Sequence, residues 1–242
     1  MKPLRAQTLA ELRMTARRGD SVLLNLAIPV GLLVFFSLVD VLPKPPGVHH
    51  AVQFLTPGVV ALAVMSTAMV SLGIATGFER QYGVLKRLGA TPLGRGRLLA
   101  AKIASIAVVE VVQVAVLAAV GFLLGWDPGG AIGLAVPAIL LATAAFSGLG
   151  LLMAGSLRAE VTLAAANGLY LLLLLLGGMI FPLTKLPSAL RDVAEGLPAG
   201  ALSDALHGAL TAGGGIPARA WIVLAVWAVV APVAATRLFR WE

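Results

Sequence analysis

Glu110 stands alone in the apolar stretch IASIAVVEVVQVAV, with Gln113 one helical turn further on. A carboxyl in such surroundings can hold a proton, meet a cationic ligand or tie two helices together by a hydrogen bond. At a bilayer centre a charge costs a few kcal/mol, so this side chain turns away from lipid. One isolated carboxylate is not a relay. A second chemistry is nucleophilic: Ser147 in AFSGLG and His207 in DALHGAL would be a nucleophile and a base if the fold brought them within hydrogen-bond reach. A third is electrostatic. Residues 77–97, GFERQYGVLKRLGATPLGRGR, crowd Glu79, Arg80, Lys86, Arg87, Arg95 and Arg97 between two long apolar runs.

Other chemistries are excluded. There is no cysteine, so no disulfide framework, thiolate metal site or Cys nucleophile exists, and the three histidines have no metal-ligand spacing. No lysine follows a glycine, which rules out the G-K core of a phosphate-binding P-loop on this chain.

The elements that must position these groups are membrane helices. The 242 residues are 59% hydrophobic and only 12% charged, against about a quarter charged in soluble domains. Mean hydropathy is +0.96. Several runs reach the roughly 20 apolar residues that cross a bilayer core. The expected fold is an all-α polytopic membrane protein, one transmembrane domain over 1–242, with six spans near 22–42, 57–77, 100–124, 131–155, 161–181 and 219–238. Ahead of the first span, residues 4–18 place Leu4, Thr8, Leu9, Leu12 and Ala16 at helical spacing, which predicts an interfacial helix. Between the fifth and sixth spans, residues 182–210 are too polar to cross and too apolar for a free loop. Two short helices near 187–196 and 199–210, dipping into one membrane face, fit them, with Pro182, Pro187 and Pro198 at the breaks.

Alternating spans sort the charge. Lys2, Arg5, Arg13, Arg17, Arg18, Arg80, Lys86, Arg87, Arg95, Arg97, Lys102, Arg158, Arg237 and Arg240 fall on one side, and Lys44, Lys185, Arg191 and Arg219 on the other. By the positive-inside rule the first side is cytoplasmic and holds both termini. The net charge of +7 is thereby a consequence of topology, and a nucleic-acid partner is unnecessary.

In the charged segment, Phe78, Tyr82, Leu85 and Leu88 form one stripe of an α-helix, Gly89 suits a helix stop, and Thr91-Pro92 reads as the start of the next helix. The reading is helix, tight break, helix, the second rising into the third span. The bland alternative is a linker helix facing lipid headgroups.

FERQYGVLKRLGATPL resembles the E-R-x-x-G-x-L-x-x-L-x-A-T-P segment of ABC-2 type transporter permeases, in particular the drug- and antibiotic-exporter branch. FLTPGVV (54–60) resembles the start of that family's second span, and GGMIFPLTKLPSALRDVAEGLPAGALSDALHG its extracellular re-entrant element. The resemblance implies a six-span subunit in a homo- or heterodimer of a bacterial plasma membrane, each subunit bound to a separate ATPase. That partner would carry ATP and Mg, this chain holding no cofactor or metal and no catalytic site. It implies multidrug-type efflux of amphipathic drug-, antibiotic- or lipid-like molecules. Glu79, Arg80, Tyr82, Gly83, Leu85, Lys86 and Arg87 would belong to the ATPase-coupling apparatus, within a coupling segment over 78–97. Gln81 stands where a further acidic residue is common. Met65, Met69, Glu110, Asn167 and Tyr170 are candidates for the substrate path, and Phe181, Pro182, Pro187 and Pro198 for an external gate. For the methionines core packing is the competing role, and for Asn25 and Asn167 interhelical hydrogen bonding is. GIATG (73–77) and GFLLG (121–125) match G-x-x-x-G.

Two other functions compete: an ion-coupled secondary transporter using Glu110, and an intramembrane serine protease built on Ser147 and His207. The first lacks visible inverted repeats. In the second, the charge count puts Ser147 in the cytoplasmic half of its span and His207 outside.

Overall fold

The computed structural model of the chain describes residues 2–17, 19–39, 50–89, 94–180, 187–211 and 214–240. Among these residues every regular element is a helix. A bilayer demands this, because each backbone polar group must be satisfied within its own segment.

The helices are α1 (Lys2–Arg17), α2 (Gly19–Leu38), α3 (Ala51–Met65), a π turn (Ser66–Ser71), α4 (Leu72–Gln81) and α5 (Val84–Gly89), followed by α6 (Arg95–Leu123), α7 (Ile132–Ser156), α8 (Ala159–Leu176), α9 (Ser188–Gly196), α10 (Pro198–Leu210) and α11 (Ala218–Leu238). Five helical stretches are long and apolar enough to cross a membrane: Ala51–Gln81, Gly96–Leu123, Ile132–Ser156, Ala159–Leu176 and Ala218–Leu238. The expected first span contributes a shorter apolar helical stretch, Leu23–Leu38.

Helix α3, the π turn and α4 make one continuous rod of 31 residues, longer at both ends than the expected 57–77. Pro57 and Gly58 lie within the rod without ending it, and past Gly77 no proline comes before Pro92, so the helix runs on through Phe78–Gln81. The rod is the axis of the bundle. Its α3 half packs against α2, α6, α7 and α10, and its α4 half against α7 and α8. Lipid tails give no hydrophobic drive between helices, so close backbone approach holds them instead. Gly73 of α4 faces Gly150 of α7, where an added Cβ would lie 3.0 Å from the Gly150 carbonyl oxygen. Gly77 lies against Thr162 and Ala159, so the 73–77 G-x-x-x-G pair serves packing inside the chain.

The two ends of the bundle differ. One end gathers the close of α4, α5, the start of α6, the α7–α8 junction and the close of α11, with Arg80, Lys86, Arg87, Arg158, Arg237 and Arg240. This is the basic end. The opposite end holds the α6–α7 connection and the α9–α10 hairpin. Those two short helices occupy the residues expected for them, with Pro187 just before α9 and Pro198 opening α10. Phe181 and Pro182 lie outside the described residues, as do Thr91 and Pro92.

Candidate functional site

Lysine 102 sits two turns into α6 and is 1% exposed. Its stem cannot reach water, so its charge must be met inside. The Nζ lies 2.6 Å from Glu79 Oε2 of α4 and 3.1 Å from Glu11 Oε2 of α1. Glu11 Oε1 in turn accepts from Gln7 Nε2 at 3.0 Å. Desolvating charges costs several kcal/mol per ion, which only good pairing and additional hydrogen bonds offset. Here both conditions hold, and three helices are fastened at one point. The amphipathic α1 is thereby joined to the close of the central rod and to the root of α6.

Around that point the charged segment divides into inward and outward residues. Glu79 and Leu85 are buried, while Tyr82 is 72% exposed and Lys86 and Arg87 are exposed. Arg80 Nη2 donates to the Leu157 carbonyl at the α7–α8 junction, and Gln81 Nε2 donates to Glu160 Oε1 at 2.8 Å. Gln81, itself uncharged, thus donates a hydrogen bond to an acid of α8. The expected single helix through Phe78, Tyr82, Leu85 and Leu88 is corrected: the backbone turns at Tyr82–Gly83, with φ +70 at Gly83. That left-handed conformation is open to glycine without a Cβ clash. The turn swings α5 across the basic end, leaving Tyr82 outside and Leu85 inside, with the Phe78 and Tyr82 rings stacked 6.2 Å apart.

In the apolar interior, Glu110 is 2% exposed and its carboxyl lies against Thr143 Oγ1 of α7; that hydroxyl has a single proton, for which the Ile139 carbonyl at 2.8 Å is the other acceptor. The other Glu110 oxygen has no hydrogen-bond partner among the described residues. Gln113 Nε2 donates to the Asn25 carbonyl at 2.7 Å, and its Oε1 accepts from Thr67 Oγ1 at 3.0 Å. Asn25 Nδ2 donates to Ser71 Oγ at 2.8 Å. Met65 and Met69 are fully buried, Met69 against Gly150. Asn167 is exposed on α8, donating to the Leu163 carbonyl at 2.8 Å, and Tyr170 on the same helix is half-buried.

At the opposite end, His207 Nε2 lies 3.0 Å from the Phe54 carbonyl, and Nδ1 lies 2.8 Å from that of Ser203. Burial pushes this imidazole below its ordinary range, outweighing the two carbonyls that favour its protonated form. Both ring nitrogens face backbone oxygens, and the buried Ser147 Oγ has no partner among the described residues, so the two do not form a nucleophile–base pair. Ser203 Oγ donates to Gly178 O at 3.0 Å, and Arg219 pairs with Glu195 between α11 and α9.

Sequence reasoning missed the hub. In sequence Lys102 reads only as one more positive residue, and Glu11 is not singled out at all. The available signal was a lone lysine inside AAKIASIAVVE, two turns before the equally isolated Glu110. A basic residue so placed needs an acid, but nothing local names which one.

The comparisons with known proteins agree with this architecture. Residues 4–210 match the family model described as ABC-2 type transporter. Among curated proteins, the chain is 26% identical over 206 residues to "Putative transport permease YvfS" of Bacillus subtilis (strain 168), covering 82% of this chain and 81% of that one. With the charged segment, the central rod and most of the helical bundle inside the matched region, the chain belongs to the ABC-2 type transporter family.

Proposed function

We propose that this chain is the permease subunit of an ATP-driven exporter that moves amphipathic drug-, antibiotic- or lipid-like molecules out of a bacterial cell. Family membership supports a transport role, and the basic end supports the drive. The carrying observation is the division of residues 79–87: Glu79 is ion-paired to Lys102 at the root of α6, while Tyr82, Lys86 and Arg87 stand in solvent. A partner gripping the outer three pushes on a segment already fastened to α1, α4 and α6. The pushed end is cytoplasmic by the excess of basic residues, with α2 as the sixth span and both chain ends inside. The α9–α10 hairpin, with Pro187 and Pro198, would close the outer mouth. Asn167, an amide exposed in an apolar helix, would face a second subunit or the substrate path, since lipid gives it no partner.

ATP would be hydrolysed by a separate soluble subunit. The test is co-purification of that ATPase with the permease, and ATP-dependent efflux by the pair. Tyr82→Ala with Lys86→Ala and Arg87→Ala should abolish both while the permease still inserts and melts normally. Intact assembly and efflux in that triple variant would overturn the reading.

A further inference from the structure

Proline 29 lies inside α2 and has no N–H to give, so the Asn25 carbonyl four residues earlier lacks its usual helical partner. Gln113 of α6 supplies one, donating from Nε2 at 2.7 Å. The other end of the same amide accepts from Thr67, the second residue of the π turn. The Asn25 side chain donates to Ser71, the last residue of that turn. Asn25 and Gln113 therefore hold the π turn near both ends and bind it to α2 and α6.

The π turn is the one irregular stretch in the 31-residue rod. It contains a residue more per turn than the helices on either side, a geometry that is rare and concentrated at functional sites. Above it, α3 packs against α2, α6, α7 and α10; below it, α4 packs against α7 and α8 and carries Glu79 in its last turn. If the extra residue is released or moved along the rod, α4 rotates against α3 by roughly 100°, the angle of one helical residue. Motion arriving at Glu79 would then turn the lower half of the rod while the upper half stays with α10.

We propose that the π turn is the hinge of the permease and that Gln113 is the positioning residue that sets it. The proposal rests on the reading that an ATPase drives the basic end.

The link is tested first, without any ATPase, by thermal melts of the purified chain carrying Pro29→Ala, Gln113→Leu or both. Pro29→Ala returns an N–H to the Asn25 carbonyl, so Gln113→Leu should lower the melting temperature much less in that background than in the native one. Equal losses in both backgrounds would overturn the link. The hinge is tested in proteoliposomes holding the permease with its ATPase. Gln113→Leu and Thr67→Val should each lower transport per ATP hydrolysed by about fivefold or more, with the ATPase still bound and hydrolysing. Unchanged transport per ATP in both variants, beside a working native complex, would overturn the hinge alone. A native complex that shows no ATP-driven transport would instead overturn the exporter reading.

Discussion

Lys102 Nζ lies 2.6 Å from Glu79 Oε2, a contact that joins the close of the rod's lower half to the root of α6 in a place water does not reach. Glu11 of α1 completes the cluster from a third helix. The family-like charged segment is therefore not a surface patch alone. Its first acid is a fastening, and its exposed residues form a separate outward face.

Breaking that fastening from the acid side should be costly. Glu79→Ala together with Glu11→Ala leaves Lys102 buried without an acid among its present partners, and a loss of about 3–5 kcal/mol is expected, in line with buried pairs broken on one side. Replacing all three with apolar residues, Lys102→Met among them, should recover most of that loss. Denaturation of the purified variants in one detergent measures both effects. Equal stability of the double and triple variants would show that the lysine charge is not what the acids satisfy.

At Glu110 the expectation is the opposite. Glu110→Gln keeps a group of the same shape, with an oxygen, against Thr143, whose hydroxyl has the Ile139 carbonyl as its other acceptor. Stability should change by about 1 kcal/mol or less, and transport should persist. A substantial loss of transport in a stably folded Glu110→Gln protein would instead give the carboxyl a role in moving cargo or protons.

The α9–α10 end should be sensitive to acid. The His207 imidazole is held below its ordinary range by burial, so the docked state prefers it neutral. Its contribution is complete above about pH 6.5, the unperturbed value, and is lost as pH falls below that. Protection factors of α10 amides, taken relative to the intrinsic exchange rate at each pH, should fall on acidification through that window, and His207→Gln should flatten the dependence.

Topology can be read directly because the chain has no cysteine of its own. Single cysteines at Tyr82 or Lys86 should react with an impermeant maleimide only from the cytoplasmic side. Cysteines at Leu190 or Val193 on α9, both exposed, should react from the outside. Labelling of Tyr82→Cys in intact cells would invert the orientation and remove the cytoplasmic drive with it.

Composition, the alternation of apolar runs and the placing of prolines were enough to give an all-helical membrane protein and two short helices after residue 187. These features are local or additive, and a bilayer leaves the backbone few other choices. The E-R-x-x-G segment was equally plain, since its residues are neighbours in the chain. What only tertiary structure decided was partnership across distance. Lys102 meets acids 91 and 23 residues away, and Gln113 meets a carbonyl 88 residues away. The turn at Gly83 likewise sends Leu85 inward and leaves Tyr82 in solvent. A buried charge or orphaned carbonyl announces in sequence that it needs a partner; which residue answers depends on how the helices pack.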